Sequence, residues 1–121
     1  SYDRFKPYGM TEDKPVLITE SSVGSGHARG MFGSMVNPGV TPGARIETLD
    51  RQLESAFRHP QIVGIHHFVF KDQPLIGRWD GENYCFGLVD VADTPYQDFV
   101  AANRIYSEKM YGFRCGLSPG W

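Results

Sequence analysis

A chain of 121 residues has the length of one ordinary domain, and 40% hydrophobic, 13% aromatic and 21% charged residues describe a globular polypeptide. A formal charge of −2 offers no basic field of the kind that nucleic acid or an anionic membrane selects, and no apolar run approaches the ~20 residues of a membrane span. Cys85 and Cys115 are the only cysteines, which excludes a disulfide-built scaffold and a thiolate zinc site of the usual spacing. Two free, partly buried thiols are expected, with a single disulfide as the alternative in an exported protein.

The first residue is Ser1 rather than Met, so the start of the chain is read as missing or processed. Residues 2–10, stopped by Gly9, read as the frayed end of a helix. "KPVLITE" at 14–20 then carries a continuous apolar run that suits a parallel strand covered on both faces, and it stops on Glu20. The glycine-rich residues 21–41 are loop. Thr41 is placed to cap a helix with Pro42 at its first position, where the missing N–H costs nothing. Ile46, Leu49, Leu53 and Phe57 recur at helical spacing as the apolar stripe, while Arg45, Glu47, Asp50, Arg51 and Glu54 fill the other faces; His59-Pro60 ends the element.

"QIVGIHHFVF" predicts a second strand over 62–70, parallel to the first and beside it, followed by a loop over 71–84. "CFGLVDV" reads as a short extra strand within the same excursion. Thr94-Pro95 with Gln97 forms the pattern of a capping box that opens the last helix, with Phe99, Ala102, Ile105 or Tyr106, and Met110 as its buried stripe.

Strand, long loop, helix, given twice, is the βα unit of a parallel α/β protein with both long loops at the C-terminal ends of the strands. In barrel enzymes that edge carries the chemistry, so Glu20 lies where a strand delivers a side chain into a site. A closed eight-stranded barrel takes roughly 250 residues, and two βα units leave both sheet edges open. The chain is therefore expected to be the last part of something larger.

At "DQPLIGRWDGENYCFGLVDVADTPY" the sequence resembles the region after the eighth strand of β-agarase-type glycoside hydrolases, family 50 most closely. "KPVLITE" is similar to their seventh strand, "RGMF" to the loop behind it, and "HPQIVGIHHFVFKDQP" to the eighth strand and its exit. The resemblance covers residues 14–111 and implies the last two βα units of a retaining (β/α)8 TIM barrel. Residues 1–121 would then be the C-terminal part of one catalytic domain, with strands one to six absent from this chain and supplied by the same precursor or another chain.

The resemblance further implies that Glu20 is the catalytic nucleophile, since retention needs one carboxylate to attack the anomeric carbon and a second to protonate the leaving oxygen. Read from the residues alone, Glu20 could instead cap a loop or pair with Arg29. The acid/base residue belongs to the fourth strand, which this sequence lacks. Asp80 and Glu82 are implied to bind substrate or order their loop.

His66 and His67 are adjacent on a strand and point to opposite faces, so they do not form a metal site. The resembling enzymes carry His-Trp there, with the Trp as a platform under the sugar; His67 takes the Trp position, and Ser22 stands where a His follows the nucleophile. Arg29, Asp72, Gln73, Arg78, Asn83 and Tyr84 are polar or planar types that hydrogen-bond and stack on sugars, and each alone serves equally as a loop-former. Trp79 either stacks on a sugar or closes the loop.

The implied substrate is a β-galactan polysaccharide or oligosaccharide (agarose, porphyran or related), without metal or organic cofactor and without nucleic-acid or membrane partners. A secreted or periplasmic location is implied by the resemblance alone. The competing reading is a non-catalytic carbohydrate-binding or interaction module derived from such an enzyme.

Overall fold

The computed structural model describes residues 13–24, 29 and 41–117. The helix end expected over 2–10 and most of the glycine-rich loop lie outside the described residues. Within them the order is β1 (Val16–Ser21), α1 (Pro42–Arg58), β2 (Ile62–His67) and α2 (Gln97–Arg114).

β1 and β2 pair in parallel, Val16 against Ile62, Leu17 against Gly64, Ile18 against Ile65 and Ser21 against His67. The register shifts twice, between Val16 and Leu17 and between Ile18 and Ser21. At the second shift β1 spends three residues where β2 spends two. The β-branched side chains of Val16 and Ile18 face α1 and pack with Ile65 around buried Ala56 and Ile62. Leu17 and Val63 remain 47% and 63% exposed, so this two-stranded sheet has apolar surface that no described element covers.

α1 begins as its sequence dictates: the Thr41 side chain accepts from the Ala44 N–H at 3.3 Å and Pro42 opens the first turn. Arg58 is its last residue, and the His59 N–H closes on Ala56 O at 3.2 Å before Pro60. A second core forms where α1 meets α2, from Val23, Leu49, Phe99 and Ala102, with Ile46, Leu53, Leu88, Tyr96 and Tyr106 packed around it. On α2, Tyr106 rather than Ile105 continues the buried stripe; Ile105 is 48% exposed. The C-terminus of α2 is stapled to the α1–β2 turn by Arg114, whose guanidinium donates to the carbonyls of Phe57, His59 and Pro60 at 3.0–3.2 Å. No described helix is long and apolar enough to cross a membrane.

Three expectations change. The second strand ends at His67, three residues early. "CFGLVDV" makes no ladder; Val89 forms only isolated bridges, parallel to Lys71 and antiparallel to Pro95. The capping box at Thr94 does not form either. α2 starts at Gln97 with Tyr96 as its cap and no side-chain cap bond; the Tyr96 N–H is drawn to Leu88 O at 3.0 Å.

Candidate functional site

Because the strands are parallel, the segments leaving them emerge at one edge of the sheet. Glu20 is exposed there, next to exposed Thr19, in the stretch where β1 carries its extra residue. The last rung below is fixed by Phe68 N–H donating to Ser21 O at 2.7 Å.

His66 and His67 separate as adjacent strand residues should: His66 is exposed and His67 turns inward. The His67 Nε2 lies 2.8 Å from Phe86 O, and its ring packs on Phe99 with centroids 5.6 Å apart. A carbonyl only accepts, so Nε2 carries the proton in this arrangement. Burial pushes the imidazole pKa below its ordinary value and the nearby Arg45 charge adds to this, against the opposing pull of the Phe86 bond. His67 is therefore committed to the loop behind it.

Residues 73–84 form a self-closed loop. Gln73 ties its neck, donating from Nε2 to Glu82 Oε2 and accepting the Tyr84 N–H at Oε1, both at 2.7 Å. The tip is turned by Gly77 and Gly81, at φ 83° and 85°, values that glycine adopts without strain. Arg78 braces it through Asp80 at 2.6 Å and Glu82 at 3.4 Å, and the Asn83 amide donates to Leu75 O. Tyr84 stacks edge-on against Phe86. The structure thus brings together Gln73, Arg78, Asp80, Glu82, Asn83 and Tyr84, and the side chains of Gln73, Arg78, Asp80 and Glu82 hold one another. Trp79 does not close the loop; it is 94% exposed at the tip, as is Ile76 at 98%.

Asp72 is only 5% exposed and belongs to a buried network. Its Oδ1 accepts the Gly87 N–H and its Oδ2 the Tyr96 hydroxyl, each at 2.6 Å, while the Cys85 thiol donates to the Tyr96 oxygen at 3.1 Å. Burial, then the bond to Asp72, raise the Tyr96 pKa far above its ordinary value, so the phenol stays protonated. The Arg29 guanidinium sits 4.2 Å over the Tyr96 ring. Its carboxylate partner is Asp90, with further bonds to the carbonyls of Thr94 and Pro95. Asp90 is held below the usual carboxylate range, first by the Thr94 N–H and further by Arg29.

The residue that sequence reasoning misplaced is Arg45. Expected on an outer face of α1, it is 2% exposed, stacks 3.5 Å over Phe99, and donates to Val23 O, Phe86 O and Gly87 O. The most buried positions of α1 are Arg45, Leu49, Gln52, Ser55 and Ala56, a face rotated one position from the apolar stripe. The spacing 45–49–52–56 is helical too; its polar and small members hid it. Cys85 is buried and Cys115 exposed, and neither forms a disulfide among the described residues.

The described residues thus form a βαβα segment with an exposed acid at the end of one parallel strand and a self-closed polar loop after the other. No protein-family model matches the chain. Individual proteins do: it is 39% identical over 104 residues to Beta-agarase A from Vibrio sp. (strain JT0107), covering 85% of this chain and 10% of that protein. Among solved structures, an exo-β-agarase superposes with a TM-score of 0.78 at 37% identity, over 88% of this chain and 14% of the other. An agarase, AgWH50C, gives 0.77 at 33% identity, over 84% and 16%. The resemblance to β-agarase-type glycoside hydrolases therefore holds in sequence and in structure, and the chain spans about a tenth of the length of Beta-agarase A.

Proposed function

We propose that this segment supplies the seventh and eighth strands of a retaining (β/α)8 glycoside hydrolase acting on a β-galactan polysaccharide or oligosaccharide, with β1 and β2 as those strands and Glu20 as nucleophile. The observation that carries the reading is the 39% identity to Beta-agarase A across 85% of the chain. The exposure of Glu20 at the C-terminal edge of a parallel strand supports it. Glu20 attacks the anomeric carbon to form a glycosyl-enzyme. A second carboxyl, ~5–5.5 Å away, gives its proton to the leaving oxygen and then activates water. That group comes from the remainder of the barrel, which also pairs the open edges of the sheet.

The sugar is met by the exposed side chains of this edge, His66 and Arg29, and by Tyr84 and the face of the 73–84 loop. Gln73, Arg78, Asp80, Glu82 and Asn83 give that loop its shape. Asp72 and His67 support the wall from behind. Neither comparison favours a non-catalytic module.

Glu20→Gln in the full-length protein tests the reading. Gln is nearly isosteric, so fold and oligosaccharide binding persist while turnover of a β-galactan falls at least ~1,000-fold, at ~1.4 kcal/mol per decade. Turnover within about tenfold of the parent would make Glu20 a structural acid.

A further inference from the structure

The side chain that joins the two loop systems of the candidate site is Arg45, on the first turn of α1 and away from the strand ends. Its Nε donates to Val23 O at 3.0 Å, three residues beyond Glu20. Its Nη2 donates to both Phe86 O and Gly87 O at 2.8 Å, in the segment that follows β2. Its plane rests 3.5 Å over Phe99 in the first turn of α2. One planar fork therefore spans the exit of β1, the exit of β2 and the start of α2.

The far end of this span is tied down by further bonds. Phe86 O also receives His67 Nε2, so the strand end and α1 converge on one carbonyl. The Gly87 N–H is held by Asp72, and a side chain at Gly87 would run into the backbone of Val89, Asp72 and Lys71. Asp72 is bound in turn by Tyr96, whose ring Arg45 also faces at 5.3 Å.

Burial depresses the Arg45 pKa, so the charge is held against a desolvation penalty that Asp72 and its other neighbours offset in part. Nη1 is buried and has no hydrogen-bond partner among the described residues. An apolar side chain of similar length would fill this space without that penalty, but it would leave the carbonyls of Val23, Phe86 and Gly87 without their donor. What an apolar residue lacks is a fork of donors aimed at two separate loops; lysine, with one point of charge, lacks the fork as well.

We propose that Arg45 is a positioning residue: it sets the placement of the β1 exit, and so of Glu20, relative to the wall built from residues 71–96. The proposal rests on the reading that both loop systems line one active site, although the loop geometry itself can be checked without it. The test uses the full-length protein with Arg45→Met, Arg45→Lys and, in parallel, Glu20→Gln, and follows steady-state kinetics, thermal stability and amide hydrogen exchange.

For Arg45→Met we expect a lower melting temperature, faster exchange at Gly87, Leu88 and Val89, and kcat lowered ~100-fold with KM little changed, the signature of misplaced reacting groups. Arg45→Lys should recover part of kcat. If the Met variant does not fold, the Lys variant is read alone, and it must show the same exchange change with a smaller kcat loss. Unchanged exchange in the variant read overturns the proposal, and so does faster exchange with kcat unaltered, which would leave Arg45 a structural brace. If Glu20→Gln keeps its turnover, the nucleophile assignment fails, while the exchange data still decide whether Arg45 holds the two loops.

Discussion

Tyr96 shows how far one side chain in this segment depends on its neighbours. Its hydroxyl gives its proton to a buried Asp72 oxygen and accepts from Cys85, and two guanidiniums, Arg29 and Arg45, lie 4.2 and 5.3 Å from the ring centroid. Tyr96→Phe keeps the ring and strands the Asp72 oxygen, so the opening free energy read by hydrogen exchange at the Gly87 amide should fall by ~1–3 kcal/mol. No change there would mean that water replaces the phenol freely. His67 carries a pH dependence of definite sign. Its pKa in the folded protein is lowered, so the unfolded chain binds the proton first as pH falls. The stability contributed by the neutral ring is complete above the ordinary value of ~6.5 and is lost as pH drops below it toward the folded pKa. Exchange of the imidazole carbon-bound proton, followed by mass spectrometry, should report His67 titrating below 6.5. A value above it would mean that the ring is not buried neutral against Phe86.

At the level of elements, the two helices start in contrasting ways. Thr41 caps α1 through a bond to Ala44 N–H, so Thr41→Ala should cost ~1 kcal/mol. Thr94 occupies a similar sequence pattern but makes no cap bond, so Thr94→Ala should stay within ~0.5 kcal/mol. Local stability from hydrogen exchange of the first turn of each helix separates the two, and equal losses would contradict the caps as described. Element order and the start of α1 were readable in the sequence because each rests on neighbours a few residues apart: the "VLIT" run, Thr41 with Pro42, His59 with Pro60. The features that were not readable depend on distant partners. The carbonyls that would have made "CFGLVDV" a strand are taken by Arg45 and His67, and the Leu88 and Val89 N–H groups both turn to Phe70 O. The resemblance left Asp80 and Glu82 as substrate-binding or loop-ordering groups, a choice that residue type does not make; in the structure Gln73, Asp80 and Glu82 form bonds within their own loop.

On the scale of the whole molecule, the described segment has unmet surface. Leu17 and Val63 are exposed on the strands, and a cleft of about 340 Å³ opens between α1, α2 and β2, lined by Leu53, Phe57, Val63, Tyr106 and Met110. Gln52 also faces the cleft, with a buried Oε1 that has no partner among the described residues. On the proposed reading, a segment that spans a tenth of Beta-agarase A and leaves such surface open gains its cooperativity from the rest of a barrel. Expressed alone, the 121 residues should bind a hydrophobic dye and melt without a sharp transition. A cooperative transition of the isolated monomer would show that the segment is self-sufficient. The central claim, that Glu20 forms a bond to the sugar, is tested most directly by trapping that bond. The full-length protein would be incubated with a 2-deoxy-2-fluoro-β-galactoside carrying a good leaving group, digested, and its peptides weighed. The account predicts the fluorosugar on the peptide that contains Glu20, joined as an ester to its carboxylate. A label on another carboxylate, or intact turnover with no label at all, would contradict it.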